Sequence, residues 1–149
     1  MIDLTVIPTD CNGCGFCCMH LGTPPFVNED VPEKLQLDGE LVTAFHDLGF
    51  EVAIETNGTR LSPPGIDWIC VSPKAGADLV LRSGQELKLV YPQAGAEPER
   101  FEGLDFRYFF LQPMDGPDRE RHTSAAVRYC LDHPRWRLSL QIHKYLGMP

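Results

Sequence analysis

Ile66-Asp67-Trp68-Ile69-Cys70-Val71-Ser72-Pro73-Lys74 is the stretch on which the fold turns. Ile66 to Val71 is a short, largely apolar run, bounded by Gly65 and by Ser72-Pro73, and rich in β-branched residues. Such a run reads as a strand buried on both faces, as the strands of parallel sheets are. Its C-terminal end passes straight into the polar cluster Ser72-Pro73-Lys74. Three further segments share this design. Phe50, Val52 and Ile54 alternate with Glu51, Ala53 and Glu55 and run into Glu55-Thr56-Asn57-Gly58-Thr59. Leu87 to Tyr91 runs into Pro92-Gln93, and Phe106 to Leu111 into Gln112-Pro113-Met114-Asp115. Trp136 to Ile142 is a fifth strand candidate.

Helical periods fall between these strands. Leu37, Leu41, Phe45 and Leu48 mark one helix face, with Asp38 as N-cap and Gly49 as stop. Thr123 to Leu131 reads as a second helix that Pro134 ends. Helix-strand alternation with apolar strands predicts an α/β fold with a mostly parallel sheet. A closed eight-fold barrel takes about 250 residues. With 149 residues, this chain is expected to form a partial, open, (β/α) barrel-like sheet behind an irregular, cysteine-rich N-terminal leader.

In a parallel α/β sheet the loops after the strands line the ligand crevice. The four polar clusters therefore converge on one edge and imply a site there. Each taken alone also reads as an ordinary turn, rich in Asn, Gly and Pro for backbone reasons.

Composition narrows the function classes. The apolar fraction is 43% and the charged fraction 23%, the range of globular domains. No apolar run is long enough for a membrane span. The N-terminus lacks the pattern of a secretory signal, so a cytoplasmic location is expected. Formal charge is -8, from 21 acidic and 13 basic side chains, which disfavours a nucleic-acid partner.

Residues 1–34 form the leader and residues 35–149 the regular part. Four of the six cysteines, Cys11, Cys14, Cys17 and Cys18, crowd into the leader, whereas Cys70 and Cys130 stand alone in apolar surroundings. A disulfide scaffold would spread its cysteines to staple distant loops. Crowding points to metal or cluster ligation, by zinc, iron or an iron-sulfur cluster. Unligated thiols and disulfides are the competing readings. Adjacent Cys17 and Cys18 strain a single-ion geometry, which leaves His20 as a substitute ligand. Cys70 and Cys130 read as small buried hydrophobes. Phe106, Tyr108, Phe109 and Phe110 read as core. Arg119-Glu120-Arg121-His122 reads as a solvated helix approach and His133 as a helix-end residue. Glu55, ending a strand at the crevice, divides between a structural and a functional role.

Residues from about 35 to 149 resemble the C-terminal part of the 7-carboxy-7-deazaguanine synthase family. The resemblance is carried by Glu55-Thr56-Asn57-Gly58-Thr59, by Pro64 to Lys74, by Glu86-Leu87-Lys88-Leu89-Val90-Tyr91-Pro92-Gln93, by Phe109 to Pro117, and by Tyr129 through Pro149. It implies a radical S-adenosylmethionine enzyme with a 4Fe-4S cluster and magnesium. The implied reaction contracts 6-carboxy-tetrahydropterin to a deazapurine for queuosine biosynthesis. It further implies a homodimer. Carried across by position, Ser72, Pro73 and Lys74, and then Gln112, Pro113, Met114 and Asp115, would contact S-adenosylmethionine. Pro149, through a terminal carboxylate, would reach the substrate.

The family's three-cysteine cluster loop and its Gly-Gly-Glu-Pro strand end have no counterpart here; Val31-Pro32-Glu33-Lys34 stands directly before Leu35. The leader, with Cys11-Asn12-Gly13-Cys14-Gly15-Phe16-Cys17-Cys18, resembles instead the start of the YkgJ-type zinc- or iron-chelating cysteine-cluster family. Three readings follow: an incomplete enzyme of doubtful activity alone, a small metal-chelating protein, or an inert truncated or chimeric fragment. A site closed by four protein thiolates would leave no vacancy for S-adenosylmethionine on the metal.

Overall fold

A computed structural model describes residues 39–147. Their order is α1 (Gly39–Asp47), β1 (Ala53–Thr56), β2 (Trp68–Val71), β3 (Ser83–Tyr91), a 3-10 turn (Pro98–Arg100), β4 (Asp105–Pro113), α2 (Arg119–Asp132), β5 (Trp136–Leu138) and α3 (Ile142–Tyr145). The five strands form one sheet in the order β1-β2-β3-β4-β5, and every neighbouring pair is parallel. The expected open, mostly parallel α/β sheet is therefore present.

One register row holds it together. Val71 pairs with Leu87, Leu87 with Phe109, and Phe109 with Trp136. All four side chains are buried, and they pack with Leu89, Leu111 and Ala126 of α2 in one cluster. Strand side chains alternate between faces, so the next row, Cys70, Glu86 and Tyr108, belongs to the opposite face. That face is polar and aromatic. Lys88 Nζ donates to Glu55 Oε2 at 2.7 Å, and Trp68 Nε1 donates to Glu86 Oε1 at 2.9 Å. Trp68 and Tyr108 stack at 6.1 Å, and the Arg137 guanidinium lies over Tyr108 at 4.8 Å. Along the aromatic run of β4, Phe106 and Phe109 are buried, while Tyr108 and Phe110 are only half-buried.

Several boundaries depart from the sequence pattern for local reasons. Phe50 was expected to begin β1, but its N–H is spent on Phe45 O at 3.0 Å, and Gly49 N donates to His46 O at 2.8 Å. With Gly49 at φ 82°, this is a Schellman cap, which holds Phe50 in the helix end and moves β1 to Ala53. Strand β3 starts earlier than its apolar run, at Ser83. Gly84 allows it, because a Cβ there would meet Ile69 O at 3.1 Å. Helix α2 takes in Arg119 to His122 as its first turn, where the pattern suggested only an approach. It stops at Asp132, before Pro134, as expected. Strand β5 ends at Leu138, and the remainder of the expected strand turns into α3. Residues 1–38 and 148–149 are not described.

Two substitutions test the core assignment. Leu89→Ala, at a fully buried position, should lower unfolding free energy by about 2–5 kcal/mol. Leu131→Ala, at a side chain 75% exposed, should change it by less than about 0.5 kcal/mol. Urea titrations of the two variants against the parent measure the difference; equal losses would refute the one-faced core.

Candidate functional site

Because all five strands are parallel, Thr56, Val71, Tyr91, Pro113 and Leu138 end on one edge of the sheet. The polar clusters that follow share that edge, as the sequence predicted. Ser72-Pro73-Lys74 follows β2 and Met114-Asp115 follows β4, with only β3 between them. At about 4.8 Å per strand spacing, the two groups stand roughly 10 Å apart across the edge.

Each cluster is built differently. Asn57 is buried; its Oδ1 accepts the N–H of Thr59 at 3.0 Å and the Thr59 hydroxyl at 2.8 Å. Gly58, at φ 77°, offers its carbonyl to the N–H groups of Val80 and Leu81, each at 2.9 Å. A Cβ at Gly58 would stand 2.7 Å from Val71 Cγ1. The Glu55 to Thr59 cluster is accordingly a clasp on the β2–β3 connection, made by backbone demands. Ser72 is buried, extends the β1–β2 ladder through its N–H to Thr56 O at 2.7 Å, and accepts Lys74 Nζ on its Oγ at 2.9 Å. This bond holds the lysine ammonium at the edge, half-buried. Beside Pro73 and Lys74 opens a cavity of about 400 Å³, lined also by Asn57, Leu79, Arg82 and Phe101. The second loop does not line it.

At the end of β4 the structure revises the reading of a four-residue loop. Gln112 and Pro113 are strand residues, in register with Val90 and Tyr91. Gln112 is buried. Met114 N donates to Tyr91 O at 2.7 Å, and Met114 O accepts His122 Nδ1 at 3.0 Å. Asp115 turns its carboxylate to Lys144 of α3, 2.6 Å away. Both side chains are largely buried, 20% and 15% exposed. The Lys144 ammonium holds the Asp115 carboxyl below its ordinary value of 3.8. Asp115 therefore works here as a brace between the strand end and the C-terminal helix. Thr123 and Tyr145, hydroxyls 3.0 Å apart, and Arg119, over the Tyr145 ring at 4.8 Å, add to the same junction.

Two members of this edge were not singled out from the sequence. Lys144 is one; a lone lysine in a short amphipathic tail gives no signal of its partner. Gln93 is the other, noted only as a polar residue after β3. Its Nε2 is buried and has no hydrogen-bond partner among the described residues.

Cys11, Cys14, Cys17, Cys18, His20 and Pro149 lie outside the described residues. Cys70 is buried, and burial pushes its thiol up to about 12. Cys130 is half-buried and shifted in the same direction by the same cause. No three His, Cys, Asp or Glu side chains among the described residues gather closely enough to hold a metal ion. His133 ends α2 as expected, with Nδ1 3.0 Å from Tyr129 O and its ring stacked on Tyr129 at 3.9 Å. No helix among the described residues is long and apolar enough to cross a membrane.

Known proteins resemble this chain closely in sequence. The chain is similar to curated 7-carboxy-7-deazaguanine synthases. Against the protein of that name from Caulobacter vibrioides it is 64% identical over 115 residues, which is 77% of this chain and 55% of the relative. The Bordetella pertussis protein is 67% identical and the Burkholderia multivorans protein 55% identical, over the same shares. The chain thus spans about half the length of the curated relatives it matches. No family model matches the chain, so the likeness of the leader to cysteine-cluster proteins stays an expectation.

The Asp115–Lys144 brace has a pH signature. A carboxyl held below its unfolded value stabilises the fold above that value, and the contribution is lost as pH falls through the lowered one. Lys144→Ala should cost about 1–3 kcal/mol at neutral pH. The difference from the parent should shrink once the pH drops below the ordinary carboxylate value of 3.8. Urea titrations at pH 7, 4 and 3 measure it; a difference that does not vary with pH would remove the ionic brace.

Proposed function

We propose that the described sheet is the S-adenosylmethionine-facing part of a radical enzyme of the 7-carboxy-7-deazaguanine synthase type. One observation carries the reading: Ser72-Pro73-Lys74 and Gln112 to Asp115 end neighbouring-but-one parallel strands on a common edge, in a chain 64% identical to such a synthase. The chemistry of the edge suits an amino-acid-bearing nucleoside. Lys74 supplies a cation for the ligand carboxylate. The Gln93 amide offers a buried donor in need of an acceptor, as a purine or ribose would provide. Asp115, engaged with Lys144, shapes this end of the pocket rather than binding through a free carboxylate.

Iron-sulfur and magnesium chemistry fit the described residues poorly. A ligating thiol must lose its proton, and burial holds the Cys70 thiol protonated, up to about 12. Cluster ligation therefore falls to Cys11, Cys14, Cys17 and Cys18 of the leader, as do zinc or iron in the alternative reading of a small metal-chelating protein. Crowding of those four thiols within eight residues is what favours that alternative. The substrate 6-carboxy-tetrahydropterin, the place in queuosine biosynthesis, the homodimer and the cytoplasmic location belong to the first reading. So does a role for Pro149 at the substrate. With about half a relative's length in hand, turnover by this chain alone is not expected.

Calorimetric titration of the anaerobically purified full chain with S-adenosylmethionine tests the first reading. Binding should weaken at least about ten-fold in Ser72→Ala and in Lys74→Ala, the loss of one charge-assisted or buried hydrogen bond. Unchanged affinity in both variants, or no binding by the parent, would refute the pocket. Metal content per chain after reconstitution with iron and sulfide, beside 5'-deoxyadenosine released under dithionite, separates the two readings. Metal without deoxyadenosine favours chelation.

A further inference from the structure

The β2–β3 and β3–β4 connections cross the sheet on the side of α2, where Leu79, Leu81, Phe101 and Leu104 join the cluster that holds Ala126. Between them lies the cavity of about 400 Å³ beside Lys74. The first connection gives its wall Lys74, Asp78, Leu79 and Arg82, and the second gives Arg100, Phe101 and Leu104. Three cations thus meet one carboxylate, a surplus of two positive charges on a chain whose formal charge is -8.

Most other cations of the described residues are engaged. Lys88, Lys144 and Arg121 face carboxylates at 2.7, 2.6 and 3.3 Å. Arg107, Arg119, Arg135 and Arg137 lie over aromatic rings. Lys74 and Arg82 have neither kind of partner among the described residues. The Lys74 ammonium donates to the neutral Ser72 hydroxyl. Arg100 donates to Gly95 O and stands 3.8 Å from the Glu97 carboxylate, an exposed pair that water screens, so most of its charge remains available. Arg60 and Arg128 are also unengaged, but neither lines the cavity.

The shape of these charges selects the anion. Planar guanidinium groups grip two oxygens of a phosphate at once, and an ammonium adds a point charge. A phosphate monoester carries about 1.5 to 2 negative charges at neutral pH and matches the surplus, whereas a carboxylate supplies only one. Leu79, Leu104 and the Phe101 ring give the same wall an apolar part. The volume falls within the range of about 300–1,000 Å³ that small-molecule sites occupy.

We propose that this cavity binds a small phosphate monoester, with the phosphate on Arg82, Arg100 and Lys74 and the organic group on Leu79, Phe101 and Leu104. Neither Gln93 nor any residue from Gln112 to Asp115 lines it. The proposal therefore does not rest on S-adenosylmethionine binding, and Arg82 and Arg100 distinguish the two sites.

Calorimetric titration of the full chain with phenyl phosphate tests it, with benzoate as the carboxylate and phenol as the neutral counterpart. Phenyl phosphate should bind at one per chain, at least about ten-fold more tightly than benzoate, and phenol should not saturate. Arg82→Ala should weaken phenyl phosphate at least about ten-fold, as the loss of a charge-assisted hydrogen bond does. Arg100→Ala should do the same independently. Arg82 is exposed, so its removal should leave the urea midpoint and the affinity for S-adenosylmethionine at the parent values. No saturable binding of phenyl phosphate, equal affinity for benzoate, or unchanged affinity in both arginine variants overturns the proposal. A matching loss of S-adenosylmethionine binding in Arg82→Ala also overturns it, by making the cavity part of the strand-end crevice. A parent that binds phenyl phosphate but not S-adenosylmethionine upholds this site and removes the enzyme reading.

Discussion

The structure depends on a single row of side chains, Val71, Leu87, Phe109 and Trp136, laid across four parallel strands. These residues are separated in sequence by the connections between strands, yet each is essentially sealed from water. Because the side-chain period of a strand is two, this row fixes the face of every other residue in β2, β3 and β4. A slip of one residue in any strand would carry Cys70, Glu86 or Tyr108 into the apolar layer and turn Leu87 or Phe109 outward. The register that hides the core is also the register that levels the strand ends. Ser72, Gln93 and Met114 reach a common edge because their strands are pinned by the same row.

The opposite face follows from the same constraint and carries a different chemistry. Lys88 with Glu55, and Trp68 with Glu86, join residues of neighbouring or next-neighbouring strands through charged and indole hydrogen bonds. Such partnerships satisfy polar groups on a face that is only partly covered among the described residues. Cys70 sits among Lys88, Glu55 and Glu86, and burial outweighs the lysine in setting its thiol, so it behaves as a packed, protonated group. The sheet is thus apolar against α2 and its connections and polar on the other side. An open parallel sheet of this kind presents its functional groups at the strand ends.

Much of this was legible in the sequence, and what was not has physical causes. Apolar runs that end in polar clusters revealed the parallel sheet and its crevice edge. Boundaries were lost where a backbone bond outside the pattern intervened. The Phe50 N–H belongs to the cap of α1, which no hydrophobic period records. Ser83 to Glu86 looked too polar for a strand, but Gly84 admits Ile69 and lets the ladder continue. Gln112 and Pro113 looked like a loop by composition and lie in β4 by register. Lys144 stands 29 residues from Asp115, and no local signal joins a lone lysine to a distant carboxylate.

The division of chemistry along the chain explains why the sequence holds two seemingly unrelated kinds of cysteine. A thiol inside a packed sheet is stabilised as the neutral form by desolvation, and its value to the fold is its small apolar volume. Thiols on a glycine-bearing turn, close in sequence and outside an apolar core, lose their protons more readily and converge on metal. Cys70 belongs to the first class on the evidence of its burial. Cys11, Cys14, Cys17 and Cys18 match the second class by spacing. Cys70 therefore serves the packing of the sheet. The sheet carries the Lys74 cation, the buried Gln93 amide and the braced Asp115 carboxylate on an edge whose geometry the four-strand apolar row dictates.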